Sequence, residues 1–206
     1  MRIPPLNPKV ASFLTSVADS DSMPNFGVPE VIFLGASNVG KSTLINALAN
    51  QRNLARASKT PGRTQLLNFF WLPQKVVLAD APGYGFAQTP EEVRQNWQGL
   101  MLDYFAARAG VLQAYVLMDS RRWVRSYDTE LMRLLQTYGV PYVLVFTKFD
   151  KLSKTEQAAF RQRNQEQLGN ACPVLVTSAK SKEGLEALGQ SLFAWGSSAK
   201  SSARLS

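Results

Sequence analysis

The sequence predicts one α/β domain: a mostly parallel six-stranded sheet with helices on both faces. Three observations predict it. Apolar runs of strand length recur at 31–34, 66–71, 75–79, 114–118, 142–147 and 174–177. Between most of them lie stretches whose apolar residues fall at helical spacing. The chain has 206 residues, and a domain takes roughly 100–200. Near-continuous apolar strands alternating with amphipathic helices belong to a parallel sheet covered on both sides.

The elements follow in order. Residues 1–29 read as an N-terminal extension, because Pro4, Pro5, Pro8, Pro24 and Pro29 resist regular helix. Within it, VASFLTSV (10–17) has the composition of one short helix or strand docked on the domain. The domain proper is expected over 30–196, and a Ser-rich flexible tail over 197–206. A helix is predicted to open near Lys41, after the first strand. Thr89-Pro90-Glu91-Glu92 is a capping box with proline at the first helical position. The helix it opens carries Val93, Trp97, Leu100 and Tyr104 on one face. Leu131, Leu134, Leu135 and Tyr138 form a second such face, ended by Gly139 and Pro141. Leu185, Leu188 and Leu192 form a third. No internal repeat interrupts this alternation.

Composition narrows the chemistry. There is no histidine, which excludes Ser-His-Asp and Cys-His catalysis and every His-ligated metal site. The single cysteine, Cys172, allows neither an intrachain disulfide nor a thiolate cluster and reads as a small buried residue. Any metal must then be held by oxygen, which favours a hard ion such as magnesium. No apolar run reaches the ~18–20 residues of a membrane span. The opening MRIPPLNPKV lacks the apolar core of a signal peptide, so the expected location is the cytoplasm. The net charge of +8 favours polyanionic partners. Between Val31 and Ala79 there is no acidic residue, yet there are six cations: Lys41, Arg52, Arg56, Lys59, Arg63 and Lys75. A ligand of that segment is therefore expected to be anionic.

In a parallel sheet the ligand sits at the carboxyl ends of the strands, and four motifs stand there. Gly35-Ala36-Ser37-Asn38-Val39-Gly40-Lys41-Ser42 fits G-x-x-x-x-G-K-[ST]. Its glycines let backbone N–H groups turn around phosphate oxygens, and the following helix adds its positive end. Lys41 then reaches the β- and γ-phosphates, and the Ser42 hydroxyl ligates magnesium. Asp80-Ala81-Pro82-Gly83 follows the strand at 75–79. In a P-loop enzyme such an Asp holds a magnesium-bound water, and the Gly N–H contacts the γ-phosphate. Thr147-Lys148-Phe149-Asp150 follows the strand at 142–147. One carboxylate accepts both N1–H and the exocyclic amine of guanine, a donor pair that adenine lacks. The Lys148 stem lies along the base plane. Asn is commoner at the position of Thr147, so a side-chain amide is missing there. Thr177-Ser178-Ala179 ends the last strand, where the Ala179 N–H is placed to reach guanine O6.

Together these are the elements of a translation-factor-class GTPase. More narrowly, Ser37-Asn38-Val39-Gly40-Lys41-Ser42, Ser58-Lys59-Thr60-Pro61-Gly62-Arg63-Thr64-Gln65 and Asp80-Ala81-Pro82-Gly83-Tyr84-Gly85-Phe86-Ala87 resemble the EngB (YihA/YsxC) family of bacterial GTPases. The resemblance runs from about Phe13 to Trp195. It implies a small Ras-like P-loop GTPase domain that binds GTP and GDP, hydrolyses GTP slowly and assists assembly of the large ribosomal subunit, with a link to septation in cell division. The expected molecule is a monomer that does not bind membranes. The resemblance further implies that Gly62, Arg63, Thr64, Gln65 and Leu66 belong to switch I, with Thr64 (or its rival Thr60) as a second magnesium ligand. Asn38 matches an asparagine that in related GTPases helps hold potassium. Two positions stand out. Ala36 occupies a place where the family usually carries Arg. Tyr84 occupies the place of a water-orienting glutamine in Ras-type enzymes, so no general base is named. Arg52, Arg56, Lys59 and Arg63 lie on or beside switch I, and Arg121, Arg122 and Arg125 surround Trp123. Both groups read as RNA-facing surfaces.

Overall fold

A computed structural model describes residues 10–55, 66–83, 91–108, 110–122, 124–167 and 172–202, with backbone only at 91–94, 97 and 199–202. Its elements are β1 (Ser12–Val17), β2 (Glu30–Gly35), α1 (Lys41–Leu48), β3 (Leu67–Leu72), β4 (Val76–Asp80), α2 (Glu91–Ala107), β5 (Leu112–Asp119), α3 (Ser126–Thr137), β6 (Tyr142–Thr147), α4 (Lys154–Gln167), β7 (Val174–Val176) and α5 (Leu185–Ser202). A 3₁₀ turn, Phe149–Lys151, follows β6.

The strands form one sheet in the order β1-β3-β4-β2-β5-β6-β7. β1–β3 and β3–β4 pair antiparallel, and the other neighbours are parallel. After β2 the chain crosses to one side, where β4 returns between β3 and β2, and then to the other side, where β5, β6 and β7 follow outward. The carboxyl end of β2 is thus the point where the winding reverses, and a ligand crevice belongs there.

Side chains alternate across the strands, which explains why the runs are apolar throughout. Ile32 and Leu34 join Phe69, Val77, Tyr104, Phe105, Leu135, Phe146 and Phe160 in one core. Val31 and Phe33 join Leu44, Ile45, Tyr115, Leu188 and Leu192 in the other. Of the expected helix faces, Leu100 and Tyr104 on α2, Leu135 on α3, and Leu188 and Leu192 on α5 are buried, while Leu131, Leu134, Tyr138 and Leu185 are half-buried against the two cores. Gly139, just past α3, takes a left-handed φ of 64° and ends the helix as expected. The capping residues Thr89 and Pro90, like the side chains of Val93 and Trp97, lie outside the described residues.

Three features differ from the sequence reading. Among the described residues the sheet has seven strands rather than the expected six. Residues 12–17, set apart in the extension, form its edge strand against β3, with a register irregularity between Phe13 and Thr15. The polar residues 154–167 form α4, which buries Phe160 but shows too little apolar periodicity to stand out in the sequence. Finally, α5 continues to Ser202, past the expected start of the tail at 197. Gly196 is a point of close packing: a Cβ there would lie 2.7 Å from the Gln74 carbonyl oxygen in the β3–β4 turn.

At the amino end of β2, far along the strand from the crevice, Glu30 is buried. It accepts hydrogen bonds from Tyr104 (2.7 Å) and Arg108 Nε (2.8 Å), which tie α2 to the sheet. Burial pushes the Glu30 carboxyl up from 4.5, against the lowering pull of Arg108 and Tyr104. Its contribution to stability is therefore fullest below its unfolded pKa and is lost as pH rises through the raised folded value. Measured by urea unfolding between pH 4 and 7, wild type should lose ground relative to Glu30→Gln as pH rises. None of the described helices is long and apolar enough to cross a membrane.

Candidate functional site

The loop after β2 places residues 35–42 in the crevice. Gly40 caps α1 at φ 105°, a left-handed conformation that favours glycine. Among the described residues no side chain caps this helix end, and its first turn holds no acidic residue. The amides of the first turn are thus left to an incoming anion. Lys41 and Ser42 are the first two residues of α1.

β4 lies parallel beside β2, with Phe33 opposite Asp80. Asp80 consequently ends next to the P-loop, where it forms an ion pair with the Lys41 ammonium. Both side chains are largely buried, at 11% exposure for Lys41 and 9% for Asp80. Ala81 is buried, while Pro82 and Gly83 are half-buried. Gly83 closes directly on the P-loop: a Cβ there would sit 2.8 Å from the Ser37 amide nitrogen, so only glycine lets the loops meet.

The second wall comes from β6 and β7. Thr147 is buried, and its hydroxyl donates to the Val39 carbonyl at 2.6 Å. The missing asparagine amide is thus replaced by a shorter hydroxyl link into the P-loop. Lys148 adopts φ 58° and donates from Nζ to the Asn38 carbonyl at 2.6 Å and to Asp119 Oδ2 at 3.0 Å. Asn38 is left-handed too, at φ 62°, with its carbonyl serving this link. The Phe149 amide donates to the Thr177 carbonyl at 3.1 Å, which locks the two strand-end loops together. Across that lock, Ser178 Oγ donates to Asp150 Oδ1 at 2.6 Å and accepts from the Ser181 amide at 3.0 Å. The Asp150 carboxylate is held from a loop 28 residues further along the chain. Ala179 follows Ser178 and is half-buried.

The four motifs expected from sequence therefore converge on one crevice. Gly62, Arg63, Thr64 and Gln65, with the rival Thr60, lie outside the described residues; Leu66 is described and half-buried. The sequence reading missed two contributors. Ser181 orients Ser178. Asp119, at the end of β5, holds Lys148. The available signal was positional: Asp119 ends a parallel strand, as Asp80 does. A cleft of about 220 Å³ opens between the P-loop and the β5–α3 loop, lined among others by Asn38, Asp119, Arg121, Arg122, Arg125 and Lys148.

Comparison with known proteins agrees with this geometry. Residues 30–148 match the family described as "50S ribosome-binding GTPase". A probable GTP-binding protein EngB of Jannaschia sp. is 44% identical over 180 residues, covering 85% of this chain and 83% of its own length. The chain belongs to the EngB family of P-loop GTPases. An EngB of Pelobacter propionicus is 48% identical over 149 residues, covering 72% of this chain and 74% of its own. The fold is shared with a solved member of the family as well. The crystal structure of a probable GTP-binding protein EngB superposes with a TM-score of 0.61 at 23% identity, over 81% of this chain and 97% of that one.

Proposed function

We propose that this EngB-family GTPase is a slow GTP-hydrolysing switch that acts in assembly of the large ribosomal subunit, and through it on septation. The observation that carries the nucleotide reading is the meeting of Asp150 and Ser178 at one end of the crevice with Lys41 at the other. In this reading Asp150 recognises guanine, with the Lys148 stem along the base and the Ala179 amide toward O6. The turn 35–40 and the first amides of α1 hold the phosphates. Incoming phosphates compete with Asp80 for the Lys41 ammonium and give it a second anionic partner.

Magnesium fits the donors present. The Ser42 hydroxyl at the start of α1 and the Asp80 carboxylate at the end of β4 are oxygen donors, suited to a hard divalent cation. Ser42 would ligate it directly, Asp80 would hold its water, and Thr64 of switch I would add the second protein ligand. When bound, the ion neutralises charge on the β- and γ-phosphates. Gly83, already against Ser37, is placed to feel the γ-phosphate and to pass its presence to switch II. Turnover then depends on positioning and on a partner, because the chain has no histidine to serve as a base.

The ribosomal reading is supported by the description of the matching family and by the exposed cations Arg121, Arg122 and Arg125 beside the P-loop. The Arg125 guanidinium lies 5.8 Å from the Tyr127 ring centre and donates to its hydroxyl at 2.8 Å. Arginine backed by an aromatic ring suits an RNA backbone. Co-sedimentation with purified large subunits tests the proposal, with a GTP analogue, GDP or no nucleotide. Retention should be greatest with the analogue and should fall steeply between about 50 and 200 mM salt. Equal retention in all three states would refute the switch, and a flat salt response would refute the RNA surface.

A further inference from the structure

Asp119 ends β5, and none of the four motifs includes it. Its side chain is only 10% exposed, yet it engages two cations. Arg121 donates from Nε to Oδ1 at 2.9 Å and from Nη2 to Oδ2 at 2.7 Å, and its amide donates to Oδ1 at 3.1 Å. Lys148 Nζ donates to Oδ2 at 3.0 Å. The same ammonium holds the Asn38 carbonyl at 2.6 Å. Lys148 is thus pinned at its backbone, by the turn into Phe149 and Asp150, and at its tip, by two acceptors on different loops.

The tip matters because the Lys148 side chain is 29% exposed. With one acceptor removed, water competes for the ammonium and the four-carbon stem regains rotamer freedom. Partial burial opposes ionisation of Asp119, but hydrogen bonds from Arg121 and Lys148 outweigh it and hold the carboxyl well below the usual carboxylate range. The anchor is therefore anionic at any pH near neutrality. Arg121, 48% exposed, grips the same carboxylate from the solvent side and leaves Oδ2 shared with Lys148.

We infer that Asp119 is a positioning residue for the guanine nucleotide: it fixes the Lys148 ammonium so that the stem stays extended along the base and the P-loop stays tied at Asn38. The inference rests on the guanine-nucleotide reading above and adds to it a residue that acts through Lys148. Asp119→Ala, Asp119→Asn, Lys148→Ala and the Asp119→Ala/Lys148→Ala double variant test it, with GDP affinity measured by calorimetry. Asp119→Ala should weaken GDP binding roughly 10-fold, as expected for loss of a partly exposed charged hydrogen bond. Asp119→Asn should lose less, because its amide oxygen still accepts from Lys148. In the Lys148→Ala background, Asp119→Ala should cost nothing further, since the residue it acts through is gone. Wild-type affinity in Asp119→Ala, or the full loss persisting without Lys148, would overturn the inference while leaving the nucleotide site intact. If the wild type itself bound no GDP, the nucleotide reading would fall and this inference with it. Should Asp119→Ala not fold, Asp119→Asn in the two backgrounds decides by the same comparison.

Discussion

Replacing Lys41 by alanine should abolish binding of GTP and GDP, with affinity falling by roughly 100-fold or more in calorimetric titration. Lys41 is the P-loop cation that points into the crevice, and it already holds one anion there, Asp80. Removing it takes away the charge that the β- and γ-phosphates need. It also leaves the Asp80 carboxylate, 9% exposed, without its cation. That second effect should destabilise the nucleotide-free protein by about 1–3 kcal/mol in urea unfolding. The two readouts separate the roles. Unchanged nucleotide affinity in a folded variant would mean that the phosphates do not sit at the carboxyl end of β2.

Replacing Asp150 by asparagine should change which base is bound. Guanine offers two donors, N1–H and the exocyclic amine, and a carboxylate accepts both. An amide offers one acceptor and one donor, which suits xanthine, where a carbonyl replaces the amine. Affinity for GDP should fall roughly 10²- to 10³-fold, as expected for loss of paired charged hydrogen bonds. Affinity for xanthosine diphosphate should rise by a similar factor. The fold should be kept, because the asparagine Oδ1 still accepts from Ser178 at the 2.6 Å contact. Competition titrations with the two diphosphates check this directly. Unchanged guanine preference would place base recognition elsewhere.

How much of this was legible in the sequence depended on how local each signal was. The P-loop, Asp80 with Gly83, Thr147 with Asp150, and Ser178 each sit within a few residues of a strand end, and the alternation of apolar runs showed which strand. Asp119 escaped because its partner Lys148 is 29 residues away and a lone acid at a strand end has no spacing of its own. Edge strand β1 was ambiguous for a similar reason. It lies among prolines and exposes Phe13 at 48%, and only its pairing with Leu67–Leu72 shows which conformation it takes. Helix α4 is polar nearly all round, so burial of Phe160 alone left no periodic face to read. The stretch from 197 read as a loose tail because the packing of Gly196 against the β3–β4 turn brings together residues about 120 positions apart.

The most direct measurement is calorimetric titration of the wild-type protein with GDP and, separately, with ADP in magnesium buffer. The pairing of Asp150 with Ser178 and of Lys41 with the crevice predicts one GDP per chain, bound roughly 100-fold or more tightly than ADP. Equal affinity for the two diphosphates, or no binding of either, would contradict it.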